Sequence, residues 1–174
     1  MAALAAAHFP ALQKLDVRGN SLGDAGAASL AAAHFPSLEV LLIGNNDIGP
    51  AGAASLAASN WPALRTLQID GNKLGPAGAA SLATAVRWPT LQRLGISDNS
   101  LGDVGAASLA AARWPSLQVL GIGYNSLGAA GAAALAPSAF PRLRRLNLSG
   151  YVLLGPADEA LLRRTWPDIQ DLVL

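Results

Sequence analysis

The sequence predicts an α/β solenoid in which every repeat supplies one short strand and one helix. Three observations carry this. An aromatic–proline pair recurs at Phe9-Pro10, Phe35-Pro36, Trp61-Pro62, Trp88-Pro89, Trp114-Pro115, Phe140-Pro141 and Trp166-Pro167, 26 residues apart at every step but one, which is 27. Behind each of the first five pairs stands the spacing L-x-x-L-x-V/I-x-x-N, and behind that a segment rich in glycine, alanine and leucine. A fixed period of this size marks an array whose units bury their apolar sides only against one another.

The expected organisation is a single domain over residues 1–174. It opens with a partial repeat at 1–8, continues through repeats 9–34, 35–60, 61–87, 88–113, 114–139 and 140–165, and closes on a terminal strand within 166–174. In the first full repeat Leu15 and Val17 are two residues apart, so an extended strand turns both to one side and Lys14, Asp16 and Arg18 to the other. The layout returns as Leu38-Leu41-Ile43-Asn46, Leu64-Leu67-Ile69-Asn72, Leu91-Leu94-Ile96-Asn99 and Leu117-Leu120-Ile122-Asn125. Strands repeated in one direction stack as a parallel sheet at about 4.8 Å per repeat. The asparagine column has a structural role, because a side-chain amide both donates and accepts where the backbone leaves the strand.

The stretch GDAGAASLAAA reads as a helix, since alanine and leucine are strong helix formers. Pro50 and Pro76 fall where a first-turn proline is tolerated, and Asp24 and Asp103 share that column, where a carboxylate suits the positive helix end. Gly26, Ala27, Leu30 and Ala31 recur in register and lie on one helix face, expected to sit close against the sheet. The aromatic–proline pair is expected to end the helix.

These motifs resemble the leucine-rich repeat, and the helix signature Gly26-Ala27-Ala28-Ser29-Leu30-Ala31 is similar to the GALA-type subclass within the broader ribonuclease-inhibitor-like class. The resemblance covers the whole chain. It implies a curved solenoid with a parallel sheet on the concave face and helices on the convex face. It also implies recognition of a protein or peptide on the concave sheet. Two departures stand out: ribonuclease-inhibitor-type members are often rich in cysteine, and this chain has none. GALA proteins are bacterial effectors with an F-box that docks onto a ubiquitin ligase, and the repeats here leave no room for one, so that activity is not carried over.

Composition narrows the classes further. At 52% hydrophobic residues the chain has ample material for a continuous core. Zero cysteines exclude disulfides and thiolate metal sites, and fit a reducing, cytoplasmic setting. The start MAALAAAHF lacks a basic segment ahead of an apolar one, and no apolar run is long enough for a membrane span. A net charge of +1 supplies no field for nucleic acid or a membrane surface.

The candidate binding residues stand on the outward strand positions. The columns run Lys14, Val40, Thr66, Arg93, Val119, Arg145, Asp171; then Asp16, Leu42, Gln68, Gly95, Gly121, Asn147, Val173; then Arg18, Gly44, Asp70, Ser97, Gly123, Ser149. Columns that vary while the framework repeats are what a recognition surface looks like. Val40, Leu42, Val119 and Tyr124 are expected as exposed anchors, and Arg65, Arg93 and Arg145 as orienting charges. Gln68, Asp70 and Asp98 complete the set, over a shallow floor at Gly95, Gly121 and Gly123. The last strand, Leu172-Val173-Leu174, offers an apolar edge for pairing with a second copy.

Other features carry less. His8 and His34 share a column, but it continues as Asn60, Arg87 and Arg113, so no metal is expected and the histidines read as helix-end groups. Arg142, Arg144, Arg145, Arg163 and Arg164 are offset by Asp158, Glu159, Asp168 and Asp171, and read as a solvated paired surface. The ladder Ala28-Ser29, Ala54-Ser55, Ala80-Ser81, Ala107-Ser108, Ala133-Ala134 reads as repeated helix propensity. No nucleophile–base arrangement, carboxylate pair or phosphate loop appears, so neither enzyme activity nor a cofactor is expected. The alternatives to recognition are a self-assembling solenoid joined through its ends or its Ala/Ser face, and an adaptor fragment of a larger effector.

Overall fold

A computed structural model describes residues 9–136, 140–150 and 154–174. The strands are β1 (Lys14–Asp16), β2 (Val40–Leu42), β3 (Thr66–Gln68), β4 (Arg93–Gly95), β5 (Val119–Gly121), β6 (Arg145–Asn147) and β7 (Asp171–Val173). Between them lie α1 (Gly23–Ala32), α2 (Pro50–Ala57), α3 (Gly75–Ala83), α4 (Gly102–Ala110), α5 (Ala129–Leu135) and α6 (Pro156–Thr165). The strands form one parallel sheet in sequence order, β1 to β7. The fold is the expected α/β solenoid. The partial repeat 1–8, His8 and Tyr151 lie outside the described residues.

Strands recur at about 4.8 Å, whereas packed helices need about 8 Å or more. A stack of such units therefore bends with its sheet on the inner side. Between the two layers runs one apolar core. Leu41, Leu67, Leu94, Leu120 and Leu146 project into it from the strand centres, with Ile43, Ile69, Ile96 and Ile122 beyond them. Leu30, Leu56, Leu82, Leu109 and Leu135 reach in from the helices, and all are essentially inaccessible to water. Each buried leucine contributes on the order of 2 kcal/mol.

At α6 the aromatic–proline pair is the expected helix stop, since Thr165 is followed directly by Trp166-Pro167, but α2 and α3 stop earlier. α2 ends at Ala57 and α3 at Ala83, several residues ahead of Trp61 and Trp88. The pair opens a tight turn instead: the amide of Leu64 donates to Trp61 O at 3.1 Å, and that of Leu117 to Trp114 O at 3.1 Å. Proline at the second position of such a turn has its φ already set, which aims the chain into the next strand. From Phe35 to Trp166 the aromatic rings of these pairs go inward, while Phe9 stays half-exposed. They stack in pairs, Phe9 on Phe35 at 6.2 Å, Trp61 on Trp88 at 6.3 Å and Trp114 on Phe140 at 6.1 Å.

The glycine column also works differently from its expected role. A Cβ on Gly78 would stand 3.4 Å from Ala53 Cβ, and one on Gly105 would stand 3.4 Å from Ala79 Cβ. These atoms belong to the preceding helix, so the small residues let neighbouring helices approach one another, and the leucines span the gap to the sheet.

Asparagine 46, 72, 99 and 125 are buried and link successive repeats. The Asn125 side-chain amide donates to Ile122 O (2.9 Å) and Gly123 O (3.1 Å) in its own turn and to Ile96 O (2.9 Å) one repeat back. Its carbonyl accepts from Asn99 N at 2.8 Å and Leu101 N at 3.3 Å. A second tie crosses the helix ends. Asp24 Oδ1 accepts from Gly49 N (2.7 Å) and Gly52 N (2.8 Å), and Asp103 Oδ1 from Gly128 N (2.7 Å) and Gly131 N (3.0 Å). Each carboxylate thus caps the helix of the following repeat, rather than its own.

Candidate functional site

The sheet register aligns Lys14, Val40, Thr66, Arg93, Val119, Arg145 and Asp171 across the strands, and likewise Asp16, Leu42, Gln68, Gly95, Gly121, Asn147 and Val173. Both columns follow the order expected from the sequence. Lys14, Asp16, Arg18, Gln68, Arg93, Asp98, Tyr124 and Arg145 are exposed. Val40, Leu42 and Val119, expected as exposed anchors, are half-buried. The reason is the sheet itself: each is flanked by side chains of the strands on both sides.

Charges on this side are partly paired. Arg18 holds Asp16 through two hydrogen bonds of 2.9 and 2.7 Å, and the guanidinium keeps that carboxyl down at about 2. Arg65 falls one residue ahead of β3, outside the three outward columns, and meets Glu39 at 3.5 Å. Arg145 meets Asp171 at 3.8 Å and Arg144 meets Asp168 at 3.7 Å. Asp70 turns towards the next repeat, where it accepts the Ser97 amide at 2.8 Å. Burial pushes its carboxyl above the usual carboxylate range, and the Ser97 amide offsets this only in part.

The glycine floor is uneven. A Cβ on Gly95 would stand 2.9 Å from an Asp70 oxygen, so that carboxylate already covers it. Gly123 is buried under Ser149, whose backbone oxygen would lie 2.6 Å from an added Cβ. Gly121 alone is roomy, with nothing nearer than 3.7 Å. It lines one groove of about 230 Å³, and a second of about 480 Å³ lies alongside; both are lined by Val119 and Arg145.

The "Leucine Rich repeat" family pattern matches residues 10–31, 35–57, 62–83, 89–110 and 115–136, which is well over half of the chain. The protein belongs to the leucine-rich-repeat family. No curated protein matches its sequence. Several solved structures share the fold at low identity. Actin-binding site 2 of leiomodin-1 aligns with a TM-score of 0.56 at 12% identity, over 71% of this chain and 77% of that one. The tropomodulin C-terminal domain of Caenorhabditis elegans aligns with a TM-score of 0.56 at 14% identity, over 91% and 84%. An internalin from Listeria monocytogenes aligns with a TM-score of 0.57 at 19% identity, over 94% of this chain but 48% of its own.

Within this leucine-rich repeat, sequence reasoning overlooked Gln118 and Gln170 and read Arg144 only as part of a solvated paired surface, whereas all three line the larger groove. Their column, Gln13, Glu39, Arg65, Gln92, Gln118, Arg144 and Gln170, is polar in every repeat, and that regularity was the signal. It also overlooked Val86 and Val104 on the helix side, 77% and 68% exposed. The serines of the Ala/Ser ladder turn their hydroxyls back onto their own helices, Ser55 to Ala51 O at 3.1 Å and Ser81 to Ala77 O at 3.0 Å. Among the described residues no three histidine, aspartate or glutamate side chains could hold a metal ion, and His34 is exposed.

Proposed function

We propose that this leucine-rich repeat is a non-catalytic recognition module that binds a protein or peptide across its strand side. One observation carries the reading. Every inward strand position from β2 to β6 is a fully buried leucine, whereas the aligned outward positions change in charge, size and polarity from repeat to repeat and remain partly or fully exposed. A rigid face of this kind loses little ordering entropy on binding, so modest contacts suffice. Leiomodin-1, whose similar structure is an actin-binding site, supports a protein as partner without singling out actin for this chain. The repeat period and the Gly-Ala-x-x-Leu-Ala helices support a GALA-type assignment within the family.

The test compares affinity capture by the natural chain with capture by a Leu42→Arg, Val119→Asp double variant whose fold is verified by circular dichroism. Recognition on the strand side predicts a partner held by the first and lost by the second. Equal capture by both would move the site elsewhere. A second reading is self-association through β7, supported by its outer edge, unpaired among the described residues, and by Val173 and Leu174, each about two-fifths exposed. Sedimentation equilibrium on a Val173→Lys variant tests it: a dimer in the natural chain that vanishes in the variant supports edge pairing, and a monomer in both removes it.

A further inference from the structure

We propose that the partner segment on the β4–β6 part of the strand side is an acidic, extended peptide, its carboxylates on Arg93 and Arg145 and an apolar side chain on Val119. The proposal rests on the recognition reading and narrows it to one chemistry.

The two grooves that meet at Val119 and Arg145 are lined by three arginines, Arg93, Arg144 and Arg145, against one carboxylate, Asp171. That excess of positive charge is local, since the chain as a whole carries only +1. Arg93 has no ion-pair partner among the described residues. The pairs made by Arg144 and Arg145 are 3.7 and 3.8 Å long and exposed at both ends, so an incoming carboxylate replaces the internal one at little cost. Arg93 and Arg145 are two strands apart in one column, about 10 Å. An extended chain in the polyproline conformation advances about 9 Å in three residues and returns to the same face. Two acidic residues spaced by three therefore match the two arginines. Between them stands Val119, a half-buried apolar seat, and beside it Gly121 leaves room for a backbone to approach. Gln118 and Gln170, at the larger groove, supply neutral amides for the peptide's own polar groups. A nucleic acid would satisfy the arginines but not the apolar seat.

The experiment pans a random twelve-residue peptide library against the full chain, with counter-selection on an Arg93→Glu, Arg145→Glu double variant checked for native circular dichroism. Enriched peptides are expected to carry two acidic residues three apart with an apolar residue between them. The best of these, synthesised with a fluorophore, should bind the natural chain with an affinity that falls as salt rises. Either single charge reversal should weaken it about tenfold or more, and Val104→Ser, on the helix side, should leave it unchanged. Enrichment of neutral or basic peptides overturns the proposal. So does no enrichment, equal binding to the reversed variants, or equal binding of a single-stranded RNA of the same charge. Should that happen while the Leu42→Arg, Val119→Asp variant still loses a captured protein, the recognition reading stands and only the acidic chemistry is withdrawn.

Discussion

Replacing Asn125 by alanine removes five hydrogen bonds at once, and the structure shows which groups suffer. The Gly123 carbonyl keeps the Asp98 amide at 3.0 Å and is largely unaffected. The Ile96 carbonyl likewise keeps the Asn99 side-chain amide at 3.1 Å. The Ile122 carbonyl and the amides of Asn99 and Leu101 lose the side chain that satisfied them. An unpartnered buried group costs about 1–3 kcal/mol, and a water molecule entering the vacated space recovers part of it. At about 1 kcal/mol for each of three groups, Asn125→Ala should lose about 3 kcal/mol, a large share of the 5–15 kcal/mol typical of a folded domain. Asn20 gives the control. It occupies the same column in the first full repeat but is exposed, and among the described residues its side-chain amide donates to Val17 O and Arg18 O alone, both at 2.9 Å. Water replaces those bonds readily, so Asn20→Ala should lose no more than about 1 kcal/mol. Guanidinium unfolding followed by circular dichroism measures both, with the midpoint shifting at constant slope. If the two variants fall within about 1 kcal/mol of each other, the buried asparagines do not hold the repeats together.

Three further outcomes are expected. Trp61 Nε1 is buried without a hydrogen-bond partner among the described residues, whereas Trp88 Nε1 donates to Ser59 Oγ at 3.3 Å; Ala33 stands where Ser59 stands one repeat on. Ala33→Ser should therefore raise stability by about 1 kcal/mol, and a melting temperature equal to or below that of the natural chain would contradict it. Asp103→Ala strips the Gly128 and Gly131 amides of their acceptor and should cost about 1–2 kcal/mol, with hydrogen exchange accelerated first in α5. Asp70 sets a pH dependence: its folded pKa lies above the model-peptide 3.8, so its contribution is most favourable below that value and is lost as pH rises through the folded pKa. Asp70→Asn keeps an acceptor for Ser97 and should flatten that loss, seen as higher stability than the natural chain near neutral pH and none at pH 3. Asp16, held at about 2 by Arg18, acts in the opposite direction, its contribution fading as pH falls from about 4 towards 2.

The sequence by itself determined the stack. Residues two apart in a strand must share a side, and a period of 26 repeats that choice often enough to fix the sheet order, the inward leucines and the outward columns without any coordinates. The helices were legible for the same reason, through Gly26-Ala27-Leu30 and its copies. What the tertiary structure alone decided is which polar group meets which across repeats. Asp24 reads as a cap for its own helix and instead caps the next one; Asp70 reads as an outward contact and instead turns to Ser97. Likewise Val119 reads as exposed and is half-covered by its neighbours, while Gln118, Arg144 and Gln170 join it at a groove no single repeat contains. Periodicity constrains the side of the layer a residue faces, because that depends on backbone direction. It does not constrain contacts between side chains some 24–30 positions apart, because those depend on how closely two particular repeats approach and on which rotamers the approach leaves open.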